Sequence, residues 1–436
     1  MKIFFSNKVN LLCLVWAIPV LLFLINPSYD LSPIPTWFAL FLTILIIIKN
    51  KNILPLSIPF IALLSPLAIN GKFISLLPSE LFLLGLFFIG ALFFLVKRKT
   101  TVNLLSGEPY LIALLVLVLI SFVASLESRT LLKSLFSWIM IGTVFCSTRL
   151  FIKSKESIDS YFVVIMVCIF YCALISITSF FNGIILPDFV QSQIYEKQEM
   201  QFDDYAYFLR ANFFYANIGY IIAPASIISL MHFTSSRTIL HRFIYGTIFI
   251  LFVFTLFLMA EKTGLVALSI ALTFLLFINY IAPRIKRKKF KLIKFIFITS
   301  IPFIVYAVYD FIDSLSRYNL SIGGFSQRLC VFKSTLEVLI QNPLRFLFGF
   351  GPDSSMLLDN KFTKAAKANC TGGFEGAIDS GHMTFLFDYG FIFAMIFILY
   401  LIHSFLSVYE KIKVYPNQKA FYLMLLGIIV YISLFL

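Results

Sequence analysis

Uninterrupted apolar runs decide what this chain can become. The stretch "VNLLCLVWAIPVLLFLIN" at residues 9–26 is the first of many, most of them about 17 to 20 residues long and separated by short charged loops. That length matches the hydrocarbon core of a bilayer. Inside lipid the backbone must satisfy its own hydrogen bonds, which leaves a helix or a closed β-barrel. Barrel strands alternate apolar and polar residues, and these runs do not alternate, so a barrel is excluded. Composition agrees: 13% of the 436 residues are charged and 60% are hydrophobic, where a water-soluble domain carries about a quarter charged residues. The expected fold is therefore all-α, a polytopic transmembrane helix bundle of about 12–14 spans with a long, partly helical loop on one side.

Spans are expected near 8–26, 34–48, 53–70, 80–96, 109–126, 131–152, 160–181, 216–233, 243–260, 264–282, 294–309, 388–407 and 419–436. The first is too long for a signal-peptide core and lacks a small-residue cleavage site, so it reads as a retained span. Lys and Arg collect on the cytoplasmic side of a membrane. The clusters here are Lys49/Lys51, "KRK" at 97–99, Arg149/Lys153/Lys155, Arg237/Arg242, "RIKRKKFKLIK" at 284–294 and Lys411/Lys413/Lys419. Each follows an even-numbered span, which puts the N-terminus inside. The net charge of +14 is thus a topology signal and points to no nucleic acid.

On this reading the chain divides into N-terminal spans (1–181), spans with a first outer loop at 182–215 (182–309), a large outer loop (310–387) and C-terminal spans (388–436). The large loop holds a helical pattern, "SQRLCVFKSTLEVLIQNPL", which Pro343 is expected to end, and a Gly-rich turn, "FGFGPDSS". A loop of this length with internal pattern is expected to be ordered and to cap the bundle. Cys13, Cys146, Cys168 and Cys172 fall in spans and read as packing residues. Cys330 and Cys370 share the outer loop, where either two free thiols or a disulfide fits.

Outer loops should be poor in cations, yet the large loop carries Arg317, Arg328 and Arg345 among others, and Arg210 and Lys262 stand close to membrane ends. Guanidinium and ammonium groups at a membrane surface suit an anionic headgroup, and Arg holds phosphate bidentately. The bland alternative is snorkelling to lipid phosphates. Of the histidines, His232, His241 and His403 fall on or near the inner side, and only His382 is expected outside. It lies in "CTGGFEGAIDSGHMTFLFDYG" (370–390), a polar, Gly-rich interruption just before an apolar span. An imidazole there could take a proton from an attacking sugar hydroxyl, with Asp379 or Glu375 to orient it. There is no P-loop, no metal-spaced Cys/His pair and no GxSxG elbow, so no metal and no cofactor are expected.

Four stretches, in order, resemble the O-antigen ligase/polymerase family of bacterial membrane glycosyltransferases. "RANFFYANIGYIIAPASIISL" (210–230) matches the family's Arg-then-Asn segment at Arg210 and Asn217. "MAEKTGLVALSIALTFLLF" (259–277) is similar to its Thr/Ser-Arg-Gly segment, with Lys262 where the family has Arg and Gly264 following. "SQRLCVFKSTLEVLIQNPLRFLFGFG" (326–351) matches at Arg328, Asn342, Pro343, Gly349 and Gly351. "GHMTFLFDYGFIFAMIFILYL" (381–401) resembles the His-Asn-x-x-Leu…Gly segment that re-enters the membrane, matching at His382, Leu386 and Gly390.

The resemblance implies an inverting, metal-independent transfer at the periplasmic face of the bacterial inner membrane. Donor and acceptor are glycans on undecaprenyl diphosphate, and a chain-length regulator protein is a partner it admits. Arg328 is the leading diphosphate contact and a catalytic candidate, with Arg210, Lys262, Arg317, Arg345 and Asn217 as further binding candidates and His382 as the base. A polymerase joins repeat units; a ligase moves the finished chain to lipid A core. Met383 after His382, and Phe393 where ligases have Gly, depart from the ligase pattern and favour the polymerase. A lipid-linked oligosaccharide flippase is the reading of another class, and it would need polar residues along a central path. An acyltransferase would place its key residues nearer the N-terminus, where none stand out.

Overall fold

A computed structural model describes residues 7–25, 33–50, 53–64, 108–123, 155–182, 219–236, 238–258, 262–278, 335–351, 381–415 and 418–435. Among these residues the regular structure is helical throughout, with no strand. The helices are α1 (Asn7–Ile25), α2 (Pro33–Lys49), α3 (Leu54–Leu64), α4 (Glu108–Val123), α5 (Lys155–Phe181), α6 (Gly219–Ser235), α7 (Ile239–Leu258), α8 (Lys262–Leu276), α9 (Pro343–Phe348), α10 (Gly381–Val414) and α11 (Lys419–Phe435). All but α9 coincide with expected apolar runs. The runs near 80–96, 131–152 and 294–309 lie outside the described residues, as do Cys146, Cys330 and Cys370.

Three segments, Ile158–Phe181, Ile239–Leu258 and Phe385–Val414, are long and apolar enough to cross a membrane. The surface agrees with lipid contact. On α10, Phe391, Met395, Ile398 and Ile402 are exposed at spacings of three and four, and α2 shows the same with Ile34, Trp37, Phe41, Ile44 and Ile48. Whole helical stripes of this kind are costly against water and cost nothing against acyl chains. α10 departs from expectation at its start. It begins at Gly381, not near 388, and runs to Val414.

The chain forms two compact units: Met1–Arg98 with Ile139–Ser269, and Lys99–Trp138 with Ile270–Leu436. In the first unit, fully buried Trp16 of α1 donates from Nε1 to Thr43 Oγ1 of α2 at 3.0 Å, and Thr43 in turn donates from Oγ1 to the Ala39 carbonyl at 2.7 Å. The indole also stacks on Phe60 of α3, centroids 6.1 Å apart. Tyr171 of α5 donates to the Cys13 carbonyl at 3.1 Å, and the Cys168 thiol donates to the Pro59 carbonyl at 3.2 Å. Cys13, Cys168 and Cys172 are free thiols among these contacts, in the packing role expected of them. α6 and α7 form a tight antiparallel hairpin, in which Ser229 donates to the Tyr245 carbonyl at 2.7 Å and His232 stacks on Tyr245 at 5.1 Å.

In the second unit α4 lies antiparallel to α10. Tyr110, near the start of α4, meets His403 at 5.5 Å, while Leu114 and Val118 pack on Phe393. Phe385, Tyr389, Phe393 and Phe397 stand at every fourth position on that face of α10, so consecutive rings touch.

Trp16 carries the packing of the first unit, so truncation should be severe and loss of one polar contact mild. Trp16→Ala should lower unfolding free energy by about 3–5 kcal/mol and Thr43→Val by about 0.6 kcal/mol. Thermal or denaturant unfolding of the detergent-solubilised protein measures both.

Candidate functional site

The candidate site is built around a break in α10. Gly390 has φ 83° and ψ 175° within an otherwise helical run, a region of backbone space that only glycine populates readily. The break separates a first segment, 381–390, from a second, 391–414.

The C-terminal end of α9 meets that break. Pro343 does stop the helix at 335–340, through a turn at Gln341 and Asn342, but it also opens α9 as its first residue. Proline has no N–H to waste there, and its φ is already helical. Asn342 ties the turn down by donating from Nδ2 to the Val338 carbonyl at 2.8 Å. α9 then ends at Gly349, whose φ is 80° and ψ 176°, and whose N–H donates to the Arg345 carbonyl at 2.7 Å. The next two N–H groups cross to the other helix. Phe350 donates to the Phe387 carbonyl at 2.9 Å and Gly351 to the Asp388 carbonyl at 3.0 Å. Two consecutive donors on two consecutive acceptors fix one register between the segments.

The crossing is close enough to exclude any Cβ. One added at Gly349 would strike the Asp388 carbonyl oxygen and lie 2.7 Å from the Tyr389 nitrogen. One added at Gly390 would strike the Leu347 carbonyl oxygen and lie 2.5 Å from the Gly349 nitrogen. These are backbone atoms, which cannot swing aside. Side chains then seal the crossing. Phe350 and Phe387, both fully buried, stack with centroids 4.5 Å apart, and Phe346 stacks on Phe391 at 5.2 Å. The Arg345 guanidinium, half-buried, lies 5.8 Å from the centre of the Phe350 ring, within cation–π range.

Of the residues singled out from the sequence, this crossing joins two segments that carry them. Arg345 is on α9, and His382 is the second residue of α10. His382 therefore stands on a helix rather than in the loop expected before it. Lys262 opens α8, in the first unit. Arg210, Asn217, Arg317, Arg328, Glu375 and Asp379 lie outside the described residues, as do 183–215 and most of 310–387. Among the described residues no group of His, Cys, Asp and Glu has the makings of a metal site.

Asp388 is not among the residues singled out from the sequence. It is 3% exposed, the one acidic side chain in the core among the described residues. The signal was available: an ionisable residue inside the apolar run "MTFLFDYGFIF" marks a functional or structural special case by default. No protein-family model matches the chain, and no curated protein matches it.

Phe387 links the crossing to the core, so its truncation should be costly where its replacement is not. Phe387→Ala should cost about 3–5 kcal/mol of unfolding free energy, and Phe387→Leu, which refills most of the volume, under about 1.5 kcal/mol. Unfolding of the detergent-solubilised variants, read by intrinsic fluorescence, separates the two.

Proposed function

We propose that the chain is a membrane glycosyltransferase of the O-antigen polymerase type. It joins undecaprenyl-diphosphate-linked repeat units at the periplasmic face of the bacterial inner membrane. It is a bundle of 12 to 14 spans on this reading, with its N-terminus in the cytoplasm. The observation that carries the proposal is the ordered set of four stretches that resemble the family. The crossing of α9 with α10 supports it, because it joins the third stretch to the fourth by backbone hydrogen bonds. The packing of Phe393 supports the polymerase over the ligase. Ligases have glycine there, whereas this side chain fills a core position against Leu114 and Val118.

In the proposed reaction His382 takes the proton of the acceptor sugar's hydroxyl. The oxygen attacks the donor's anomeric carbon from the face opposite the diphosphate. The carbon–oxygen bond to the diphosphate breaks, and undecaprenyl diphosphate departs with the electron pair. Negative charge grows on that leaving group, so cations fixed around it lower the barrier. Arg328 takes the main share, Arg210 and Lys262 assist, and Arg317, Arg345 and Asn217 hold the rest of the diphosphate and glycan. Asp379 or Glu375 orients the imidazole. No metal is needed, since the cations supply the positive charge.

The test is deletion of the gene, complementation with His382→Ala or Arg328→Ala, and electrophoresis of the cell's glycolipids. Each variant should lose the ladder and leave a single repeat unit on the core. Core alone with polymer stranded on the carrier lipid would indicate the ligase. Core alone with no stranded polymer would indicate a flippase. A normal ladder from both variants would overturn the proposal.

A further inference from the structure

We propose that Gly349 and Gly390 are positioning residues, whose crossing sets the pose of the His382-bearing segment of α10 against the turn that carries Arg345. The chemical consequence rests on the glycan-transfer reading; the geometric one does not.

Four observations lead here. A straight helix through residue 390 would cross a membrane equally well and keep all its own hydrogen bonds, so the break is not required for spanning. Both glycines occupy a glycine-only backbone region, and each stands where the other's neighbours leave no room for a Cβ. The carbonyls of Phe387 and Asp388 are taken by N–H groups from the α9 end, which pins the first segment in register as well as in angle. Gly349 also donates to the Arg345 carbonyl, so the same short turn holds the backbone of Arg345.

The lever is long enough to matter. His382 precedes Gly390 by eight positions on the segment, about 12 Å of helical rise, so a change of about 20° at the break moves it by about 4 Å. Displacement of a catalytic group by about 1 Å can cost on the order of a hundredfold in rate. A structural glycine would affect how much protein folds. A positioning glycine affects how fast the folded protein works and how its moving segment is presented.

The experiment reads both consequences in membrane vesicles. In a background of His382→Cys with Cys330→Ser and Cys370→Ser, a membrane-impermeant maleimide reports access to position 382. Adding Gly349→Ala or Gly390→Ala should change the labelling rate at least threefold. With His382 restored, turnover at saturating lipid-linked repeat unit should fall at least tenfold per folded protein, with the donor KM within threefold. Gly246→Ala is the control, because a Cβ there meets only the Phe233 ring, at 3.3 Å; it should leave both readings as in the wild type. If the Ala variants fail to accumulate, Phe387→Leu decides, and it should move both readings in the same direction by less. Unchanged labelling overturns the proposal, as does changed labelling with unchanged turnover where His382→Ala abolishes the ladder. Changed labelling together with a ladder that survives His382→Ala would sink the glycan-transfer reading and leave the positioning role standing.

Discussion

A helix broken inside an apolar environment must find new partners for its freed polar groups. In this protein the carbonyls of Phe387 and Asp388 find them in the N–H groups of Phe350 and Gly351. An unsatisfied carbonyl in hydrocarbon costs several kcal/mol, roughly, so the break and its partner segment exist together or not at all. The rest of the second unit is arranged around that pairing. α9 is short because it must end at Gly349. α10 is long because the helix continues on both sides of the break.

The aromatic residues take the two sides of the first segment in turn. One side carries Phe385 and Tyr389 into the ladder against α4, and the other carries Phe387 onto Phe350. A segment held on both faces by rings and on its backbone by two hydrogen bonds has little freedom to roll or slide. A group that must meet a reacting hydroxyl benefits from such a mount. The same rigidity gives the buried Asp388 a fixed place beside the break.

The apolar helices were legible because hydropathy is local. A run such as 155–181 or 419–435 is a helix for reasons contained in its own sequence, whereas the ends of α10 fall about seven residues beyond the expected 388–407 on each side. Pro343 was half legible: its missing N–H predicts an end to the preceding helix, while its aptness as a first helical residue shows only once α9 follows. Gly390 was not legible as a break. Glycine is common in membrane helices, and its φ depends on what stands opposite. Asp388 was visible as an anomaly, and His382 and Arg345 as candidates, but nothing local says that their segments meet.

By itself, the sequence determined that this chain is helical and apolar enough for lipid, because backbone hydrogen bonding and side-chain transfer energies act residue by residue. It also determined where the chain carries its glycines, its cations and His382. Only the tertiary structure decided that the turn after α9 and the start of α10 share one register. That pairing joins residues 37 positions apart, 350 to 387 and 351 to 388, and it forms only when two backbones approach too closely for any side chain between them.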